Sequence, residues 1–136
     1  MADTIHTVSF DVRDYECDLQ GIVNNANYQH YFEHARHLFL RSQGVEFADL
    51  AARGANLVVI RVEIDYLFPL RSMDTFNVAS TLDRVSRVRI ACRQSITRAD
   101  GRAIANAVVV IATMDASGRP CRLPAEVEAI LTRLAP

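Results

Sequence analysis

Residues 14–44 read DYECDLQGIVNNANYQHYFEHARHLFLRSQG, and the fold turns on them. Tyr28, Tyr31, Phe32, Ala35, Leu38 and Phe39 recur at the helical period and form one continuous apolar stripe. His30, Glu33, His34, His37 and Arg41 fall on the other side. Asn24, Asn25 and Asn27 each suit a helix start, because their side chains accept hydrogen bonds from the free N–H groups of a first turn. Gly44 is the expected stop. The spacing therefore predicts a helix of about four to five turns beginning near Asn25, with Asp18 in the loop just upstream. A helix N-terminus offers free donors and partial positive charge, so it can polarise a carbonyl oxygen. A carboxylate beside it can attack the carbon or deprotonate a water.

Outward from this stretch, the chain alternates. Residues 6–14 place Val8, Phe10 and Val12 on one side, as in a half-buried strand. Residues 45–53 make a short second helix closed by Gly54. Residues 57–68 alternate strongly, with Val58, Ile60, Val62, Ile64, Tyr66 and Phe68 on the apolar side and Pro69 at the margin. Strands are expected over 75–86 and 88–98, and Asp100-Gly101 predicts a tight hairpin into a further strand over 102–115. The run Val108–Ile111 predicts a middle buried on both faces. Pro124 opens a C-terminal helix. One long helix and about five antiparallel strands make an α+β domain. A single helix covers only part of such a sheet, which is a reason to expect a homodimer.

With 136 residues, the chain is expected to be one domain, 1–136, with enough length for a core. Half of the residues (50%) are hydrophobic and 23% are charged, the balance of a globular protein. A net charge of −1 gives no bulk attraction to nucleic acid or anionic membrane. All 15 basic residues are arginine, so Lys nucleophiles and Schiff bases are excluded. The 3 cysteines, Cys17, Cys92 and Cys121, lack metal-ligand spacing, and neither a disulfide framework nor a zinc site is expected. The N-terminus lacks a signal-peptide pattern and no apolar run approaches a membrane span. A soluble cytoplasmic protein without a cofactor is expected.

The run Cys17-Asp18-Leu19-Gln20-Gly21-Ile22-Val23-Asn24-Asn25-Ala26-Asn27-Tyr28, followed by Tyr31-Phe32-Glu33-His34-Ala35-Arg36, resembles the hotdog-fold acyl-CoA thioesterases, and more narrowly their 4-hydroxybenzoyl-CoA thioesterase-like branch. Asp65-Tyr66-x-x-Pro69 and Asp74 also fit. The departures are Asn25, where many members carry His or Tyr, and Ser72-Met73-Asp74, where a Gly-Asp turn is usual. The resemblance implies a long central helix wrapped by a five-stranded antiparallel sheet, a homodimer or homotetramer, and active sites shared across the dimer interface. It also implies an acyl-CoA substrate. Asp18 would act as nucleophile or general base, and the Asn25 N–H as oxyanion donor. Its alternative is a hotdog module that binds acyl thioesters without hydrolysing them.

Each candidate residue carries a plainer reading beside the functional one. Asp18 and Asn25 can merely cap a turn and a helix. Asn24 orients the acid or water, or caps the helix. Gly21 permits a tight backbone, which also allows close approach of a thioester. Val23 and Tyr28 are expected to line the substrate. Glu33 is a rival carboxylate within the helix, or a surface partner of His37. His30, His34 and His37 share a face at metal-like spacing, yet no zinc-hydrolase motif accompanies them. Arg87 and Arg89, with Arg84 behind them, suit the phosphates of coenzyme A, or simply charge a strand edge. Cys17 is read as structural. The acyl group, and coenzyme A versus carrier protein as the thiol, stay open.

Overall fold

The computed structural model describes residues 6–134. In chain order these form β1 (His6–Asp11), a 3-10 turn (Asp14–Glu16), α1 (Asn25–Ser42), α2 (Phe47–Ala52), β2 (Asn56–Tyr66), β3 (Thr75–Arg84), β4 (Arg89–Arg98), β5 (Ala103–Met114) and α3 (Ala125–Leu134). The strands make one antiparallel sheet in the order β1-β3-β4-β5-β2. The long helix with its five-stranded antiparallel sheet is the α+β layout expected from the pattern and the hotdog arrangement that the resemblance implies. No helix among the described residues is long and apolar enough to cross a membrane.

Strand β1 ends at Asp11, short of residue 14, because the chain tightens there: the Arg13 N–H donates to Glu16 Oε1 at 2.8 Å. Helix α1 begins where its asparagines predict. Asn24 is the cap, with its Oδ1 accepting from the Ala26 N–H at 3.0 Å. Beyond the helix, Gly44 takes φ +92°, where a side chain would be strained. The buried stripe holds Tyr28, Tyr31, Phe32, Ala35 and Phe39, as predicted, and is widened by Arg36 and Leu40, while Leu38 is half-buried. These side chains share one core with Phe76, Val78, Ile90, Ile96 and Val109 of the sheet.

Strand β2 departs from its predicted alternation. Val59 pairs with Ile111 but Arg61 with Val110, so Ile60 is an extra residue. Such a bulge shifts every preceding side chain to the other face. Val59, Val62 and Ile64 consequently face α1, and Val58 does not. The hairpin at Asp100-Gly101 forms as expected, with Gly101 at φ +91°. In β5, Val109 and Ile111 are buried, whereas Val108 and Val110 are only half-buried on the outer face.

Residues 67–74 carry the chain across the sheet from the β2 edge toward β3, passing beneath the start of α1. The Ile104 carbonyl accepts from the N–H groups of Leu67 (2.8 Å) and Phe68 (3.1 Å), and the Leu70 carbonyl from the Val23 N–H (2.8 Å). The crossing closes through Val12 N–H to the Asp74 carbonyl (2.8 Å) and Met73 N–H to the Val12 carbonyl (3.1 Å). Met73 pays for this closure with φ +74° while its side chain is 84% exposed. Replacing it therefore relieves strain and forfeits little burial. The strain relieved, roughly 1–2 kcal/mol, exceeds the cost of glycine's extra freedom in the unfolded chain, about 0.5–1 kcal/mol, so Met73→Gly is expected to raise stability by about 0.5–1 kcal/mol, measured as a higher urea midpoint at unchanged slope.

Candidate active site

The loop before α1 is built by backbone hydrogen bonds. Asp18 N–H donates to the Ile22 carbonyl at 2.8 Å, and Gly21 N–H to the Asp18 carbonyl at 3.0 Å. This tight loop needs φ +78° at Gly21, the reason glycine suits the position. The Asp18 Oδ1 accepts from Gln20 N–H at 2.8 Å, leaving an exposed carboxylate held in an Asx turn. The loop and helix are then locked together by the Glu16 carbonyl, which accepts from Asn24 N–H at 3.0 Å and Asn27 Nδ2 at 2.8 Å. Asn27 is thus a tether and Asn24 the cap.

The same interactions decide which helix donors remain free. Ala26 N–H is taken by the Asn24 side chain, and Asn27 N–H by the Asn24 carbonyl at 2.9 Å. The N–H of Asn25 has no acceptor among the described residues. A cavity of about 360 Å³ opens here, lined by Asp18, Val23, Asn25 and Tyr28 on one side and by Tyr66, Phe68 and Pro69 on the other. Tyr66 donates through its hydroxyl to the Asn25 carbonyl at 3.3 Å. Tyr28 accepts at its hydroxyl from the Leu70 N–H at 3.1 Å, and burial raises its pKa.

Six of the residues singled out from the sequence therefore meet in one region: Asp18, Gly21, Val23, Asn24, Asn25 and Tyr28. Arg87 and Arg89 do not join them within the chain. They lie at the other end of β4, about 30 Å away at the ordinary strand rise, because β4 runs from Arg89 to Arg98 and it is Arg98 that approaches the cavity wall. Arg84 is ion-paired to Glu128 of α3. The sequence reading missed Arg102, whose guanidinium sits 4.0 Å above the ring of Phe68. Its signal was faint: a hairpin arginine, and an aromatic two residues after Tyr66.

The remaining candidates separate by position. Glu33 is exposed, well along α1 from Asp18, and forms no ion pair with His37 among the described residues. His37 instead packs on Phe47 at 5.1 Å, and His34 edge-on to Phe10 at 5.7 Å. No group of three or more His, Cys, Asp or Glu side chains able to hold a metal occurs among the described residues. The Cys17 thiol is held above its ordinary pKa, first by burial and then by Asp14 and Asp18, which makes it a poor nucleophile.

A loop aspartate and a helix-terminal asparagine with an unpaired N–H line one cavity and make a candidate acyl-transfer site on a hotdog fold. Residues 12–131 match the thioesterase-like superfamily, and the chain belongs to that family. It is 36% identical over 123 residues to the acyl-acyl carrier protein thioesterase ATL3 of Arabidopsis thaliana, covering 90% of this chain and 65% of that one, so the chain spans just under two-thirds of that relative. It is 30% identical to the acyl-CoA thioesterase YbgC of Haemophilus influenzae, over 93% and 95% of the two chains. Among solved structures, a hypothetical protein from Aquifex aeolicus superposes with a TM-score of 0.84 at 32% identity, over 93% and 98% of the two chains.

The hydrogen bond between Tyr28 and Leu70 ties the cavity's two walls. Leu70 is fully buried, so Tyr28→Phe strands its N–H without an acceptor. The expected loss is about 1–3 kcal/mol of stability, seen as a lower denaturant midpoint.

Proposed function

We propose that this protein hydrolyses acyl-coenzyme A thioesters to a carboxylic acid and free coenzyme A. The observation that carries the reading is the shared cavity of the Asp18 carboxylate and the unpaired Asn25 N–H, in a chain of the thioesterase-like superfamily. A thiol with pKa near ~8.5 leaves without a strong general acid, so the site needs only an activator and an oxyanion donor. Acting as base, Asp18 takes a proton from water as the oxygen bonds to the thioester carbon. The carbonyl electrons move onto oxygen, which the Asn25 N–H holds. The oxyanion then collapses, the C–S bond breaks, and the proton on Asp18 passes to the departing thiolate. Acting as nucleophile, Asp18 would form an anhydride that water opens. One oriented oxyanion donor is commonly worth roughly 3–4 kcal/mol, and the N–H, being backbone, survives side-chain substitution at Asn25. The free thiols Cys17, Cys92 and Cys121 agree with a reducing compartment such as the cytoplasm.

The working unit in this reading is a homodimer paired along β2. That strand is a sheet edge of 11 residues, and Val58, Val59, Ile60 and Val62 on it are 38–43% exposed. A long apolar edge of this kind invites pairing with another strand. Two copies of β2 related by a two-fold axis run antiparallel, so the Tyr66 end of one meets the Asn56 end of the other. In the sheet, Arg89 pairs with Ala112 and Ala112 with Val58, which puts Arg89 at the Asn56 end. The partner subunit's Arg87 and the partner subunit's Arg89 are thereby carried toward Asp18, where they would hold the nucleotide phosphates.

Free-thiol release from benzoyl-, short-chain and long-chain acyl-CoAs, and from acylated carrier protein, tests the reaction. Asp18→Asn is expected to lower kcat by about 10²–10⁴ with little change in KM, and an undiminished variant removes Asp18 from the mechanism. Shared sites have a separate test. Asp18→Asn and the double variant Arg87→Ala/Arg89→Ala should each be impaired, whereas hybrid dimers refolded from both regain one intact site and rise well above either parent. If both parents are impaired and mixing restores nothing, the sites are not shared between subunits; if the double variant is unimpaired, Arg87 and Arg89 are not the phosphate anchor and Arg102 becomes its candidate.

A further inference from the structure

A second cavity, of about 390 Å³, lies between α1 and β2. Its sheet wall is apolar: Val59, Val62, Ile64 and Val109. Its helix wall begins at Ala26, one residue past the Asn25 donor, continues past Gln29 and Glu33, and ends at Arg36. Arg36 is only 8% exposed. Its guanidinium donates from Nη1 to Gln94 Oε1 at 3.2 Å. The Gln94 amide is itself held by two acceptors, the Phe32 carbonyl and Ser80 Oγ, each at 2.9 Å from Nε2. Arg36 forms no ion pair among the described residues, although Glu33 and His30 border the same cavity. Burial lowers its pKa, with only weaker compensation from Cys92 and Glu33. A guanidinium carries five donors; Arg36 gives one to Gln94, and its other nitrogens are not among the enclosed unpartnered atoms of the described residues, so they are left for whatever occupies the cavity that Arg36 lines.

We infer that Arg36 is a specificity-determining residue that receives an acceptor oxygen at the distal end of the acyl chain, so that the preferred substrates are ω-oxygenated acyl thioesters of medium length. This rests on the thioesterase reading above and names its substrate class. The length follows from the helix. Side chains on a helix lean toward its N-terminus, and the Gln94 amide that meets Arg36 is bonded to the Phe32 carbonyl, so the guanidinium sits near the level of Phe32 and Glu33. That is about 12 Å from Asn25 at the helical rise. At roughly 1.3 Å per bond, the advance of an extended backbone, an acyl chain spans it in about nine bonds, which is a decanoyl chain. A hydroxyl or carboxylate there meets the free donors of Arg36, whereas a methyl group leaves them unpaired.

The test compares decanoyl-CoA, ω-hydroxydecanoyl-CoA and decanedioyl-CoA on the wild-type enzyme and on Arg36→Met. The wild type is expected to favour at least one oxygenated substrate by about tenfold or more in kcat/KM, and Arg36→Met to bring the ratio near one. The hydroxyl and carboxylate arms distinguish a neutral acceptor from an anion. If Arg36→Met does not fold, the wild type alone decides: the preference should be present at decanoyl and absent between hexanoyl-CoA and ω-hydroxyhexanoyl-CoA, whose oxygen falls short. Equal rates on the decanoyl pair, or a preference untouched by Arg36→Met, overturn the inference. Calorimetric binding of decanoic and ω-hydroxydecanoic acids separates it from the hydrolytic reading. Arg36-dependent preference for the hydroxy acid without turnover of any thioester would overturn the hydrolase and leave the acyl site standing.

Discussion

Burial of one side of α1 against the sheet is the interaction on which the rest of this molecule depends. Phe32, Ala35 and Phe39 are almost wholly removed from water. Each large apolar side chain so buried contributes about 1.5–3 kcal/mol. That stripe sets the rotation of the helix, and rotation decides what else it presents. With Phe32 and Phe39 inward, Ala26, Gln29, Glu33 and Arg36 turn toward β2, and His34 turns toward Phe10 on β1. The same docking delivers the first turn of α1 to the crossing segment, where Val23 and Tyr28 bond to Leu70. The candidate site is therefore a consequence of core packing.

The candidate site is marked by a donor left without a partner. Four N–H groups at a helix start lack intrahelical partners. Here Asn24 satisfies two of them, through its side chain and its carbonyl, and the N–H of Asn25, a residue that lines the same cavity as Asp18, is left unpaired. Backbone donors held by a packed helix need no reorganisation when charge develops beside them. The unpaired edge of β2 follows a similar pattern on a larger scale. An exposed apolar edge of this kind is a template for pairing with another strand.

Much of this was legible in the chain. The 3.6-residue stripe from Tyr28 marks α1, the asparagines mark its start, and Asp100-Gly101 marks the hairpin between β4 and β5. The Asp18–Tyr28 block meets in space because it is contiguous, so local geometry suffices. The rest was hidden for definite reasons. The bulge at Ile60 changes the face of Val58 and Val59, and a bulge is set by pairing with β5, which alternation in β2 alone does not encode. Arg87 and Arg89 have the chemistry of a phosphate anchor, but strand direction puts them at the far end of the sheet from Asp18 within one chain. Arg102 was overlooked because its partner, Phe68, lies 34 residues away in sequence and is brought beside it only by the crossing segment.

By itself, the sequence determined what is local and periodic: one amphipathic helix, alternating strands, a capped helix start and a carboxylate a short loop before it. These depend on side-chain period and on hydrogen bonds between near neighbours, and both are written in residue order. Tertiary structure alone decided the strand order, the free edge at β2 and the buried setting of Arg36. Sequence pattern placed Arg36 in a helix, with nothing to mark it as enclosed. Its guanidinium meets Gln94 of β4, which is itself held by Ser80 of β3, once the sheet packs on α1. Long-range pairing brings those groups together, and the low-dielectric surroundings that give a lone guanidinium its chemical consequence exist only once the fold is complete.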